Sequence, residues 1–259
     1  MSPMSPTLIL IRHAQALHNV DKDYDIPDPL LSELGINQCQ ELKENLERLP
    51  LAKEVGLIVV SPMRRTIQTA MLSLPWLIER GVPVLLDAGW QENSDKPCDT
   101  GSPLPDLSTA FPTLDFRPVD PLYPNKTDPA GANPYRFDKR AVLARGQACL
   151  RALHSRPEKV IAVVSHSGFL RCAVSGTRYA NADYRVFEFE EGPEGAGERR
   201  LWLREWKETE ETGGGMGRSE RGRADVEEKD FPREEDEIPK GEEGEVLRVE
   251  EEVVQEAPV

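Results

Sequence analysis

The sequence predicts an α/β protein: a three-layer αβα sandwich on a mostly parallel central sheet, followed by a disordered acidic C-terminal tail. Two stretches point to the sheet. Leu8-Ile9-Leu10-Ile11 is an unbroken apolar run that stops abruptly at Arg12-His13, and Val160-Ile161-Ala162-Val163-Val164 stops in the same way at Ser165-His166-Ser167-Gly168. Continuous apolar runs of this length mark strands buried on both faces, as in parallel sheets. Helical periodicities recur between the strand-like runs, and that alternation completes the α/β reading.

In chain order, Ser32 is placed to cap a helix over residues 33–48, with Leu34, Cys39, Leu42, Leu46 and Leu49 near helical spacing. Residues 56–60 form a second buried-type strand. It meets Ser61-Pro62, read as an N-cap with proline in the first helical position, and the helix beyond should break at Pro75 and stop near Gly81. Val82 to Leu86 reads as a short third strand. Residues 87–138 carry few periodic signals and many Pro, Asp, Asn and Gly, which predicts a lid or insertion loop anchored by Trp90, Phe111, Phe116, Tyr123, Tyr135 and Phe137. A helix over 139–155 precedes the 160–164 strand. A short helix opens at Gly168, and strands over 185–190 and 200–206 flank a Gly/Glu-rich turn.

The formal charge of −14 is concentrated at one end of the chain. Nineteen of the 46 acidic residues but only 7 of the 32 basic ones lie past residue 207, which leaves 27 and 25 in a nearly neutral body. The expected division is therefore a domain over 1–207 and a disordered tail over 208–259, within which 246–254 could form a transient helix or strand. No basic patch with interleaved aromatics indicates nucleic-acid binding. The scattered Cys39, Cys98, Cys149 and Cys172 read as reduced thiols. With no signal-type N-terminus and no membrane-spanning apolar stretch, the expectation is a cytoplasmic protein.

Ligands of open parallel sheets bind beyond the carboxyl ends of the strands, where Arg12, His13, Ser165 and His166 fall. Arg64 and Arg65 follow another strand, and Gln91-Glu92 follows the third. A crevice holding two histidines, arginines, helix-terminal N–H groups and one carboxylate suits a phosphoryl dianion, since guanidinium forks match its oxygens. A histidine can take the phosphoryl group covalently, and the carboxylate can protonate the leaving oxygen. The arginines could neutralise the developing charge without a metal. No HxH, HExxH or paired-Asp motif occurs, so neither metal nor cofactor is expected.

In this order Arg12-His13-Ala14 with Asn19, Asp28-Pro29-Leu30-Leu31-Ser32-Glu33-Leu34-Gly35, Ser61-Pro62 with Arg65-Thr66 and Gln68-Thr69, Gln91-Glu92, and Ser165-His166 resemble the histidine phosphatase superfamily, also called phosphoglycerate mutase-like, over roughly residues 7–206. The stretch 91–101 is similar to a largely fungal branch of it. The resemblance implies that His13 is the phosphoryl-accepting nucleophile and Glu92 the proton donor. It implies that Arg12, Arg65 and His166 hold the phosphate, with Asn19 close by; Ser167 stands where the family often has glycine and is grouped with the phosphate-binding residues. Ala14 likewise replaces the usual glycine, which would matter if that position needs a positive φ.

The motif favours Arg65 over Arg64, which would sit at the surface or the substrate rim. His18 could line the pocket or simply pack, and His154 reads as structural. Asp95, Cys98, Asp99 and Thr100 could face substrate or form a turn. Arg117, Lys126, Arg136, Lys139 and Arg140 could read a second anion on the substrate. The expected partner is a small phosphate ester, with no nucleic acid and no membrane, and the sequence leaves the oligomeric state open. The family's mutases follow their acidic residue with Glu-Arg-His-Tyr-Gly, whereas this chain reads Gln91-Glu92-Asn93-Ser94-Asp95, which favours a phosphatase. A mutase and a catalytically silent phosphate-binding regulator are the alternatives.

Overall fold

A computed structural model describes residues 5–127, 132–190, 200–224 and 226–232. Six strands form one sheet: β1 (Thr7–Arg12), β2 (Val55–Val60), β3 (Val84–Leu86), β4 (Val160–Ser165), β5 (Tyr184–Glu190) and β6 (Trp202–Glu205), in the order β3-β2-β4-β1-β5-β6. The first four in that order run parallel, and β5 and β6 complete the sheet antiparallel. The helices are α1 (Leu17–Val20), α2 (Glu33–Arg48), α3 (Arg64–Ser73), α4 (Pro75–Glu79), α5 (Leu104–Ala110), α6 (Lys139–His154), α7 (Ser167–Phe169) and α8 (Lys207–Thr212).

Side-chain alternation in the central strands builds the three layers. Ile9, Ile11, Ile58, Val60, Ala162 and Val164 face Cys39, Leu42, Leu46, Ile67 and Ala70 of α2 and α3. Leu8, Leu10, Leu57, Val59, Ile161 and Val163 face Val142, Cys149, Leu150 and Leu153 of α6, with Trp90 and Phe169. Both faces being covered is why these strands are apolar without a period of two. The parallel register pairs Arg12 with Ser165, and His13 N–H donates to Ser165 O at 3.0 Å, so the two strand-end histidines emerge side by side.

Three boundaries differ from the sequence expectation. The helix after β2 begins at Arg64 with Met63 as its N-cap, not at Pro62. The Ser61 hydroxyl lies 2.9 Å from His166 Nε2, and the Thr66 hydroxyl reaches back to Ser61 O and Met63 O instead. The 87–138 segment contains α5 and single turns at Ala88–Trp90 and Pro97–Asp99, and it packs down on the domain. Trp90 meets Phe169 edge-on, and the Tyr123 hydroxyl donates to Pro62 O at 2.8 Å. Finally, the chain does not leave the domain at residue 207. The buried Asp183 carboxylate accepts from Met216 N, Arg218 N and the Ser219 hydroxyl, and Arg185 donates to Glu220 O. Arg171 pairs with Asp230, and Phe231 is buried in the α6 layer. The expected turn at 192–197 and the element at 246–254 lie outside the described residues.

Among the described residues no helix is long and apolar enough to cross a membrane, and the four cysteines are buried and free. Asp183→Ala leaves Met216 N, Arg218 N and Tyr184 N without their charged acceptor. Urea unfolding should register a loss of about 3 kcal/mol. A loss below about 1 kcal/mol would mean that this carboxylate does not hold the 213–219 segment to the sheet.

Candidate functional site

The strand-end residues meet the loop motifs in one crevice. Ala14 N–H donates to the Thr69 hydroxyl at 3.0 Å, and Leu31 N–H to Gln68 Oε1 at 2.8 Å, so α3 holds the chain on both sides of α1. Ala14 is not among the residues with positive φ, so its methyl costs no backbone strain. The 28–35 stretch is fixed by contact: a Cβ on Gly35 would stand 2.0 Å from the Gln15 carbonyl oxygen, so only glycine lets α2 start there.

His13 is buried, and its Nδ1 lies 2.7 Å from its neighbour's carbonyl, Ala14 O. A carbonyl can only accept, so the ring proton sits on Nδ1 and Nε2 carries the lone pair. Arg65 Nε donates toward that lone pair at 3.3 Å. The wholly buried Arg65 guanidinium also donates to Cys98 O at 2.5 Å and to Asp99 Oδ1 at 3.1 Å. Arg12 donates to Tyr179 O at 2.7 Å, and burial lowers its pKa to about 10. His166 lies 5.3 Å from His13 between ring centroids.

Burial first, and the Arg65 charge second, push both histidines well below their ordinary pKa. His18, whose ring is 6.0 Å from that of His13, is pushed down to about 4 by the same two causes. All three are therefore neutral near pH 7, and His13 keeps its lone pair.

Glu92 enters from the loop after β3. Its Oε1 accepts from Asn93 N and Phe169 N, and its Oε2 accepts from Gly168 N at 3.0 Å. Gly168 makes room for this contact, since a Cβ there would lie 2.6 Å from Glu92 Oε1. Two cations hold the Glu92 loop in place. Arg145 of α6 donates to Gln91 O at 2.9 Å and to Asn93 Oδ1 at 3.0 Å, and stacks over Phe169. Lys126 donates to Glu92 O, Ser94 O and Asp99 O at 2.5–2.7 Å. Three donated bonds need the ammonium form, although burial and then Arg145 lower its pKa to about 7.

The structure thus brings His13, Arg12, Arg65, His166 and Glu92 together. Ser167 is half-buried at the start of α7. Asn19 is close by, but its amide is spent on Ala16 N, Asn181 and His18. Arg64 stands at the rim on Ser102 and Asp28. Asp99 belongs to the site through Arg65. The Cys98 thiol is buried, with its pKa pushed up to about 12, and contributes its carbonyl instead.

The second-anion reading fails for Lys126, which is buried against carbonyls. Arg117, Arg136 and Lys139 pair with Asp115, Asp138 and Glu228. His154 packs edge-on against Phe189. Sequence reasoning missed Arg145, Tyr179, Asn181 and the bond of Ser61 to His166, because each joins the site through a contact distant in sequence. Among the described residues, buried polar atoms without a hydrogen-bond partner gather here: Arg12 Nε, His18 Nδ1, His166 Nδ1, Arg145 Nε and the whole Gln91 amide.

Neutral buried histidines set the sign of the acid response. The unfolded chain binds protons as pH falls through about 6.5, while the folded pocket does not. Their stabilisation is complete above that value and is lost on acidification, by at most about 1.4 kcal/mol per pH unit for each histidine. Urea midpoints should therefore fall between pH 7 and 5, more steeply in the wild type than in His18→Asn. Equal slopes would mean that His18 is charged in the fold.

The family profile of the histidine phosphatase superfamily (branch 1) matches residues 8–191. A protein of Schizosaccharomyces pombe named a probable phosphatase is 33% identical over 172 residues, covering 64% of this chain and 76% of its own. Phosphoglycerate mutase-like protein 1 of Arabidopsis thaliana is 31% identical over 198 residues, covering 63% and 69%. A mycobacterial glucosyl-3-phosphoglycerate phosphatase superposes with a TM-score of 0.47 at 21% identity, covering 78% of this chain and 98% of its own. The match over most of the domain, joined to the two strand-end histidines and the buried arginine, makes this chain a member of the histidine phosphatase superfamily.

Proposed function

We propose that the protein is a metal-independent phosphomonoesterase that works through a phosphohistidine on His13. The observation that carries this reading is the fixed tautomer: Nδ1–H donates to Ala14 O, leaving a neutral Nε2 beside Arg65. Nε2 attacks phosphorus, the N–P bond forms, and the ester P–O bond breaks. Arg12, Arg65 and His166 hold the three non-bridging oxygens with Ser167 at the edge, and the arginines neutralise their charge. Asn19 acts from behind, through His18 and the Ala16 amide.

Glu92 gives a proton to the departing oxygen. The amides of Asn93, Gly168 and Phe169 hold its carboxyl group in place for this step. The resulting carboxylate then takes a proton from water. That water attacks the phosphohistidine, the N–P bond breaks, and orthophosphate leaves with His13 neutral again.

A phosphatase is favoured over a mutase by the residues after Glu92. Asn93 is held by Arg145, and Ser94 donates to Asp99, so neither of the two residues after Glu92 offers a cation to a second phosphate. The names of the curated relatives include both phosphatase and phosphoglycerate mutase-like.

The test is hydrolysis of p-nitrophenyl phosphate in EDTA. Wild type should turn over, and His13→Ala should lose at least about a thousandfold with an unchanged circular dichroism spectrum. Equal activity in both proteins would contradict the proposal. Glu92→Gln should slow alkyl phosphates by on the order of a hundredfold, and p-nitrophenyl phosphate much less, since nitrophenolate leaves without a proton. Equal slowing of both would remove Glu92 as the acid.

A further inference from the structure

His18 has a bonding pattern that packing does not explain. Ala16 N–H, an unambiguous donor, bonds Asn19 Oδ1 at 3.1 Å. The Asn19 amide is thereby oriented, and its Nδ2 faces His18 Nε2 at 2.9 Å. Nδ2 can only donate, so Nε2 must accept, and the ring proton of His18 sits on Nδ1. That Nδ1–H is buried and has no partner, in a side chain only 5% exposed. A buried donor left unpaired is costly, and a Phe or Leu of similar bulk would fill the space without that cost. The ring borders the nucleophile, 6.0 Å from His13 between centroids, and Arg12, Arg65 and Asp99 are the charges that act on it.

We propose that His18 is a substrate-binding residue whose neutral Nδ1–H donates a hydrogen bond to an oxygen of the phosphoryl group held at His13. This rests on the reading of the crevice as a phosphate pocket and adds a donor to it. Arg12 and Arg65 already supply positive charge, and a further cation between them would be repelled. A neutral N–H adds direction without charge. The Asn19 amide is then a positioning group: it fixes which nitrogen of His18 carries the proton.

Two amide substitutions separate this role from packing. Asparagine at 18 can place its NH2 near the position of Nδ1, whereas glutamine reaches the position of Nε2. Orthophosphate and orthovanadate are the probes, titrated calorimetrically into the full chain and used as inhibitors of p-nitrophenyl phosphate hydrolysis. His18→Gln should weaken both anions about tenfold, and His18→Asn should stay within about threefold of wild type. If His18→Gln does not fold by circular dichroism, His18→Phe takes its place with the same tenfold expectation.

Wild-type affinity in His18→Gln, or in His18→Phe, would overturn the assignment while leaving the phosphate pocket standing. Equal losses in the asparagine and glutamine variants would overturn it too, because they would report lost packing rather than a lost donor. Absence of orthophosphate and orthovanadate binding by the wild type would overturn the pocket itself, and with it this role.

Discussion

The buried guanidinium of Arg65 is the interaction on which the rest of the crevice depends. A cation wholly removed from water is tolerated only where its N–H groups are met. Here one goes to His13 Nε2, one to Cys98 O and one to Asp99. Those partners come from two parts of the chain: the end of β1, and two adjacent residues in the loop that also carries Glu92. Satisfying one side chain therefore fixes where His13 and the loop that carries Glu92 stand relative to one another. Lys126 and Arg145 repeat the device from behind, binding the carbonyls of the same loop.

Burial of the rings first, and the charge of Arg65 second, keep His13, His18 and His166 neutral, so the pocket combines permanent cations with uncharged imidazoles. A neutral His13 with Nδ1 tied to a carbonyl presents a lone pair on one nitrogen alone. Burial thus leaves His13 its lone pair beside cations that would attract a dianion.

The fold was largely legible because burial on both faces leaves a strand with no period. The runs at 8–11 and 160–164 could hardly be anything else, and their polar ends marked the crevice. Helix α2 was readable for a similar reason, with Ser32 capping Gly35 N as its position suggested. Other features depended on contacts distant in sequence. Ser61 looks like an N-cap until its hydroxyl is seen on His166. Residues 213–220 look like the start of a solvated tail, because their order comes from backbone bonds to Asp183 and Arg185 rather than from apolar burial. Lys126 reads as an anion-seeking charge, since a sequence displays charge but not the three carbonyls that surround it. Which residues meet in the crevice was legible from motif order. The tautomers of His13 and His18 were not, because each is set by an atom whose position only the fold supplies.

The central claim is that geometry leaves His13 a single reactive nitrogen. The most direct test is to quench the enzyme in alkali during turnover and digest it. The phosphohistidine isomer at position 13 can then be identified by phosphorus NMR against both standards. The account predicts phosphate on Nε2 of His13. Phosphate on Nδ1, or on another residue, would contradict it.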